Sequence, residues 1–408
     1  MKKPELLCPA GDRERFDAAL YFGADAIYLA GTEFGMRAAP GNFTEAQLRD
    51  AVQTAHAKGV NVYLTCNTLP RNDEIQRLPA FLELVQDVGV DGFIVADIGV
   101  LALCKQYAPN VPVHISTQAG IVNYQTANAF YNMGAQRIVT ARELSLEEIA
   151  TIRQKTPKEL EIECFVHGAM CVSFSGRCLL SNYLVNRDAN RGACAQPCRW
   201  EYALMEKKRD GMYFPIGEDA DGTYILNSKD MCMIEHIPEL VAAGIDSFKI
   251  EGRAKSAYYT AVIANAYRSA IDGYLQNPSM DYRPEPWMVD EVYKVSYRDY
   301  CTGFYFGTPQ EDANISYKGG YCRSWDVMGV VKASDGKQLT VEQRNKFSVG
   351  DTLEIMEKGK APKALPVLAM QNAEGESIES APHPMMTVYL PCDTQYSAGT
   401  ILRKAVKA

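Results

Sequence analysis

A short unit recurs along the chain: a glycine closes a helical pattern, one apolar and one polar residue follow, and an apolar run begins. It reads Gly23-Ala24-Asp25 before Ile27-Tyr28-Leu29, Gly59-Val60-Asn61 before Val62-Tyr63-Leu64, and Gly89-Val90-Asp91 before Phe93-Ile94-Val95. It returns as Gly134-Ala135-Gln136 before Ile138-Val139 and as Gly244-Ile245-Asp246 before Phe248-Lys249-Ile250. Glycine supplies the left-handed residue that ends a helix, and the apolar run after it suits a parallel strand buried on both faces. Adding Glu5-Leu6-Leu7, Val111 to Ile115 and Leu160 to Val166 brings the count to eight strands with helical patterns between them. Two of those helices open with capping boxes, Thr44 to Gln47 and Ser145 to Glu148. Eight alternating units predict an α/β fold, a TIM-type (β/α)8 barrel over residues 1–275. A doubly wound open sheet is the alternative, but no Gly-x-Gly-x-x-Gly turn follows the first strand.

The seventh and eighth strands are separated by a long insertion, at about residues 168–231, with a hairpin expected around Asp210-Gly211. Insertions after barrel strands sit at the carboxyl-end face, so this one is expected to cap the barrel mouth. A Pro-rich stretch within 276–310 reads as a linker. Beyond it, over 311–408, short strands separated by Ser-Asp-Gly, Val-Gly-Asp and Glu-Gly-Glu turns predict a small β-barrel or sandwich domain. No apolar run has signal-peptide or membrane-spanning length, so a cytoplasmic protein with no membrane partner is expected. The formal net charge of −8 gives no general attraction to nucleic acid. Lys207-Lys208-Arg209 and Arg403-Lys404 with Lys407 are the candidate local positive surface.

Four of the twelve cysteines, Cys171, Cys178, Cys194 and Cys198, fall within the insertion among Gly, Ser, Asn and Arg. A reducing compartment argues against disulfides there, and turn-forming neighbours argue against a buried core role. A soft four-thiolate site suits an iron–sulfur cluster or zinc. The Cys-x6-Cys and Cys-x3-Cys spacings lack the tight Cys-x-x-Cys turns of structural zinc, which favours iron–sulfur and leaves zinc as the alternative metal.

Strand alternation predicts which polar side chains face the barrel axis. In the seventh strand Leu160, Ile162, Cys164 and Val166 face out, leaving Glu163, Phe165 and His167 inward. His114, Ser116 and Gln118 face in on the fifth strand and its end, and Lys249, Glu251 and Arg253 on the eighth. Asn67, Asp97 and Arg142 follow the ends of other strands. Buried charges must pair with each other or with a ligand. One reading is a self-satisfied ion network of Glu163, Lys249, Glu251 and Arg253. The other is a polar substrate cavity in which Glu163, His167 or His114 handles protons and Arg37, Arg142 and Arg253 hold an anionic small molecule. No two of the five histidines stand four apart, and neither Gly-x-Ser-x-Gly nor a phosphate-binding P-loop occurs.

The segment Glu163-x-Phe165-x-x-Gly168-Ala169-Met170-Cys171-x4-Gly176-x-Cys178-x-Leu180-Ser181 resembles the defining pattern of the collagenase-like peptidase family of unassigned catalytic type. The similarity continues through Cys194-x3-Cys198, His114-Ile115-Ser116-Thr117-Gln118, Leu226-Asn227-Ser228-Lys229-Asp230 and Lys249-Ile250-Glu251-Gly252-Arg253. It implies hydroxylation without molecular oxygen, on tRNA, ribosomal RNA or a quinone ring, with a 4Fe-4S cluster on Cys171, Cys178, Cys194 and Cys198. The Asn-Ser-Lys-Asp and Lys-Ile-Glu-Gly-Arg segments look most like the branch that acts on the wobble uridine of tRNA at carbon five, with prephenate required. Two other functions compete, the peptidase of the family's name and a non-catalytic metal-bearing module that grips RNA.

Overall fold

The computed structural model describes residues 2–36, 42–171, 173–174, 180–185, 187, 194–197, 204–205, 213–214, 217–219, 222–224, 229–307 and 321–406. Eight parallel strands close into a barrel: β1 (Glu5–Pro9), β2 (Ala26–Ala30), β3 (Asn61–Cys66), β4 (Gly92–Val95), β5 (Val113–Ile115), β6 (Arg137–Val139), β7 (Glu161–Ala169) and β8 (Ser247–Ile250). Closure comes from β8 pairing with β1, Glu5 opposite Ser247, and with β7, Ser247 opposite Glu163. Their outward residues, among them Leu6, Ile27, Val62, Phe93, Ile138, Ile162 and Phe248, are buried beneath the surrounding helices.

The repeated junction does what its composition predicts, and more. All five glycines have positive φ, from 68° at Gly59 to 102° at Gly23. At four of the five junctions the polar residue that follows reaches back to the preceding strand: Asp25 accepts from the Leu6 amide at 2.9 Å, Asp91 from Val62 at 2.7 Å, Gln136 from Val113 at 2.7 Å and Asp246 from Ile162 at 2.9 Å. These bonds satisfy strand-end amides that would otherwise lack partners, and so tie neighbouring strands at the amino-end face. Both capping boxes form, at Thr44 and at Ser145.

Within the insertion, Leu204–Met205 pairs antiparallel with Tyr213–Phe214 as the expected hairpin, and Asp230–Cys232 returns antiparallel to the end of β7. The segment expected as a linker is packed structure. It carries the helix Pro286–Val292, the buried Val295 and Arg298, and the strand Tyr300–Cys301 beside Asp230–Cys232. Arg298 clasps Asp230 at 2.7 Å, both nearly without exposure.

The C-terminal region is a six-stranded antiparallel sheet that includes Trp325–Ser334, Gln338–Gln343, Thr352–Met356, Thr387–Pro391 and Ile401–Ala405. Its Met356 and Ile401 join the main apolar core, and Gly359 donates to Asn265 of the Ala257–Gln276 helix at 2.7 Å. That helix is therefore buried on most sides. Arg403, expected as positive surface for RNA, is instead fully buried, bound to Glu291 at 2.8 Å and to Glu354 at 2.8 Å. Arginine suits a buried pairing across two units because its planar fork meets two carboxylates at once. Lys404 bonds Asp351 at 2.5 Å, while Lys207, Lys208, Arg209 and Lys407 lie outside the described residues. Among the described residues no helix is long and apolar enough to cross a membrane.

Candidate active site at the barrel mouth

The barrel interior is built in layers. In the lower layer Arg137 bonds Glu5 at 2.6 Å, Glu161 at 2.7 Å and Glu163 at 3.1 Å, and Lys249 bonds Glu163 at 2.6 Å. Tyr63 and Ser247 add hydroxyl donors to Glu5 at 2.6 and 2.8 Å. Glu163 has no exposure at all. The ion network considered from sequence is thus present around Glu163 and Lys249, but its central cation is Arg137, and the part-buried Glu5 is a further carboxylate of it. Alternation would have found both, since outward Leu6 and Ile138 leave Glu5 and Arg137 facing the axis. His114 lies in this layer, edge-on to Tyr63 with ring centroids 4.6 Å apart. Burial, then the charges of Arg137 and Lys249, hold its imidazole well below the ordinary range, so it is neutral.

Phe165 stands above this network, with the Arg142 guanidinium 3.9 Å and the Lys249 ammonium 5.4 Å from its ring centre. Over it the mouth gathers Asn67, Gln118, Arg142, Glu251 and Arg253. Asn67 donates to Gln118 at 2.9 Å and accepts from the Met36 amide at 3.1 Å. Arg253 bonds Thr65 at 3.0 Å and the Met36 carbonyl. Arg142 reaches the Ala169 carbonyl at 3.2 Å and Glu251 at 3.7 Å, and its Nε is buried with no hydrogen-bond partner among the described residues. The structure therefore separates the charged residues that sequence pooled: Glu251 and Arg253 belong to the mouth, Glu163 and Lys249 to the layer beneath. Asp97 caps the helix Ile98–Tyr107, accepting from the Val100 amide at 3.1 Å. Arg37 lies outside the described residues.

His167 departs from its expected inward placement. Between Lys249 and Ile250 the register with β7 shifts, so that Lys249 faces Phe165 but Ile250 faces His167. The extra residue reverses the alternation, as a bulge does. The His167 ring accordingly lies among Tyr259 and Tyr267 of the Ala257–Gln276 helix and Tyr300, with centroids 6.0, 5.4 and 5.3 Å away. Burial pushes its pKa down to about 3, against the pull of Asp230. A neutral histidine facing a helix is poorly placed to exchange protons with anything in the mouth.

Immediately after, Gly168 turns the chain at φ 106°, where a Cβ would lie 2.3 Å from the Glu251 carbonyl oxygen. This turn delivers the buried Met170 and the half-buried Cys171 to the mouth end of β7. Cys194 is exposed, and its Sγ accepts from the Gln196 amide at 3.3 Å. The Ala195 amide donates to Ser181 Oγ at 3.0 Å, which ties the residue after Cys194 to the middle of the cysteine-bearing segment. Phe174 reaches towards Gly120, 4.0 Å from where a Cβ would stand, on the loop next to Gln118. Cys178 and Cys198 lie outside the described residues. Cys171 and Cys194 stand outside the apolar core, whereas burial pushes Cys104, Cys164 and Cys232 up to about 12 and leaves them protonated. An amide hydrogen bond to sulfur, as at Cys194, is also a device that tunes iron–sulfur ligands.

The chain is similar along most of its length to several named proteins. A protein from Bacillus subtilis named tRNA hydroxylation protein P1 is 36% identical over 405 residues, covering 99% of this chain and 95% of its own. Escherichia coli tRNA hydroxylation protein P is 36% identical, covering 96% of this chain and 94% of its own. A Porphyromonas gingivalis protein named collagenase is 32% identical over 80% of this chain and 79% of its own. Residues 11–315 match the model of Peptidase family U32 and residues 323–403 that of the Peptidase family U32 C-terminal domain. With both of its parts matched, the chain belongs to peptidase family U32.

Proposed function

We propose that this chain hydroxylates tRNA, converting the wobble uridine to 5-hydroxyuridine without molecular oxygen. The reading is carried by relatives named for tRNA hydroxylation that match the chain nearly end to end. It is supported by an arginine-bearing mouth at the strand end that leads into Cys171. Replacing hydrogen by hydroxyl on carbon five is a two-electron oxidation, so the donor that gives up its hydroxyl takes up the two electrons and leaves with hydrogen in its place, and an iron–sulfur cluster held by Cys171, Cys178, Cys194 and Cys198 would supply the redox capacity to relay them. Arg142 and Arg253 hold an anionic, prephenate-type donor, and the Asn67 and Gln118 amides orient it. Phe165 seals the floor, keeping the Glu163 network out of contact with substrate. Glu251 is the carboxylate placed to accept the proton that leaves carbon five.

The test is mass spectrometry of nucleosides from total tRNA of cells lacking and re-expressing the chain. Loss and recovery of 5-hydroxyuridine is expected, and an unchanged level in cells that also lack any parallel enzyme refutes the reading. Protein reconstituted without oxygen should hold about four irons and absorb broadly in the visible, as a cluster held by four thiolates does. Cys171→Ser should lose both. The collagenase-named relative keeps a peptidase reading in play. Among the described residues no Ser, Thr or Cys is hydrogen-bonded to a histidine, so the usual nucleophile–base pair is not formed there. Gelatin cleavage that persists in Cys171→Ser protein would restore that reading.

A further inference from the structure

We propose that Tyr293 and Tyr297, braced by Tyr300, form a shelf beside the barrel mouth on which unpaired bases of an RNA loop stack. This inference rests on the tRNA reading above. The run Tyr293-Lys294-Val295-Ser296-Tyr297-Arg298-Asp299-Tyr300 sets three tyrosines along one short stretch, held in place by Lys294 on Glu354 at 3.0 Å and Arg298 on Asp230 at 2.7 Å. Tyr297 and Tyr300 lie nearly parallel, 15° between planes and 5.0 Å between centroids, and Tyr293 stands edge-on to each at 5.3 Å. The inner end is anchored, since the Tyr300 hydroxyl donates to the Val292 carbonyl at 2.7 Å. The outer end is open: Tyr293 is 44% exposed and Tyr297 half-buried.

Position and charge point to RNA. Lys255, two residues beyond Arg253 of the mouth, donates to the Ser296 carbonyl at 3.0 Å, which fixes the shelf against the mouth's edge. A backbone bridge between Tyr297 and Cys322, at 2.7 and 3.2 Å, brings Arg323 alongside; that side chain bonds Asp326 at 2.8 Å and, at 69% exposure, is open to exchange that partner for a phosphate. Rigid tyrosine faces flanked by a cation are how proteins hold single-stranded RNA, because every base offers a face to stack and a phosphate to pair. A chain of net charge −8 has no broad electrostatic attraction for RNA, so its affinity must come from local contacts of this kind.

The test uses the full-length chain with a tRNA transcript, a hairpin carrying its anticodon loop, and a fully paired duplex. Tyr293→Ala/Tyr297→Ala should weaken loop binding by roughly tenfold or more with duplex binding unchanged, a cooperative melt showing that the variant is folded. Tyr293→Phe/Tyr297→Phe should bind like the parent, since the ring and not the hydroxyl carries the contact. The slope of affinity against salt should not change in the alanine variant, as no phosphate contact is lost. Unaltered loop affinity in the alanine variant, while the parent chain modifies tRNA, overturns the shelf and leaves the function standing. A parent dimer that the alanine variant splits without loss of RNA binding also overturns it, assigning the tyrosines to self-association. A parent chain that neither modifies tRNA nor prefers the loop to the duplex sinks both proposals.

Discussion

Replacing Glu163 by glutamine isolates the central question about the barrel interior, because it keeps the side chain's shape and removes its charge. Arg137 would retain Glu5 and Glu161. Lys249, whose side chain is 6% exposed, would lose the carboxylate that holds it at 2.6 Å. Leaving one buried charge uncompensated costs about 3–5 kcal/mol. At roughly 2–4 °C per kcal/mol for a domain of this class, the melting temperature should fall on the order of 10 °C. Lys249→Met alone should cost less, since Glu163 keeps Arg137 at 3.1 Å. Combining the two substitutions removes both charges and should recover more than half of the loss, a coupling of about 2 kcal/mol or more in a double-mutant cycle. Scanning calorimetry of the four proteins measures this. A Glu163→Gln variant within about 1 kcal/mol of the parent, or a double variant as unstable as the sum of the singles, refutes the network argument. The same proteins separate structure from chemistry: if Glu163 only balances charge, the restored double variant hydroxylates tRNA, and a stable but inactive double variant returns Glu163 to the reaction.

Acid should destabilise the fold through its buried imidazoles. His167 is held by burial at about 3 and His114 also well below its usual value, so between about pH 3 and 6.5 the unfolded chain binds protons that the native chain refuses. Stability therefore falls as pH drops through that window, by roughly 1.4 kcal/mol per unit for His167, with His114 acting in the same direction. Melts at pH 7 and 5 should show this slope reduced in His167→Gln, and an unchanged slope counts against it. Gly168→Ala places a methyl 2.3 Å from the Glu251 carbonyl at a positive φ, and should cost about 1–3 kcal/mol and lower iron retention by displacing Cys171; full iron loading at parental stability would contradict this. Arg142→Gln should weaken prephenate binding about tenfold or more in calorimetry, as expected for a lost charged hydrogen bond, with Arg142→Lys intermediate. Equal affinities would remove Arg142 from the anion site.

Local pattern made much of this molecule readable. The glycine junctions foretold the strands because a left-handed cap is a property of the residue itself, and alternation placed Glu163, Phe165 and Lys249 on the axis. The cysteine loop stood out for the same reason, its thiols lying among turn formers while Cys8, Cys66, Cys104 and Cys164 fall in apolar runs and are buried. What the chain's order could not express is which partner each polar group meets. Asp25, Asp91, Gln136 and Asp246 read only as the polar residue before each strand, yet each ties down an amide of the adjoining strand.

Tertiary structure alone decided the rest, where two distant segments had to fit each other. The slip that turns His167 away from the axis arises from the pairing of β7 with β8, strands some eighty residues apart that meet only once the barrel closes. Arg403 reads as surface charge near the chain's end, but docking the C-terminal sheet onto the helix Pro286–Val292 buries it against Glu291. Period and propensity act over a few residues and are written in the sequence, whereas register, burial and ion pairing depend on what the fold brings alongside, and those set which charges line the mouth and which hold up its floor.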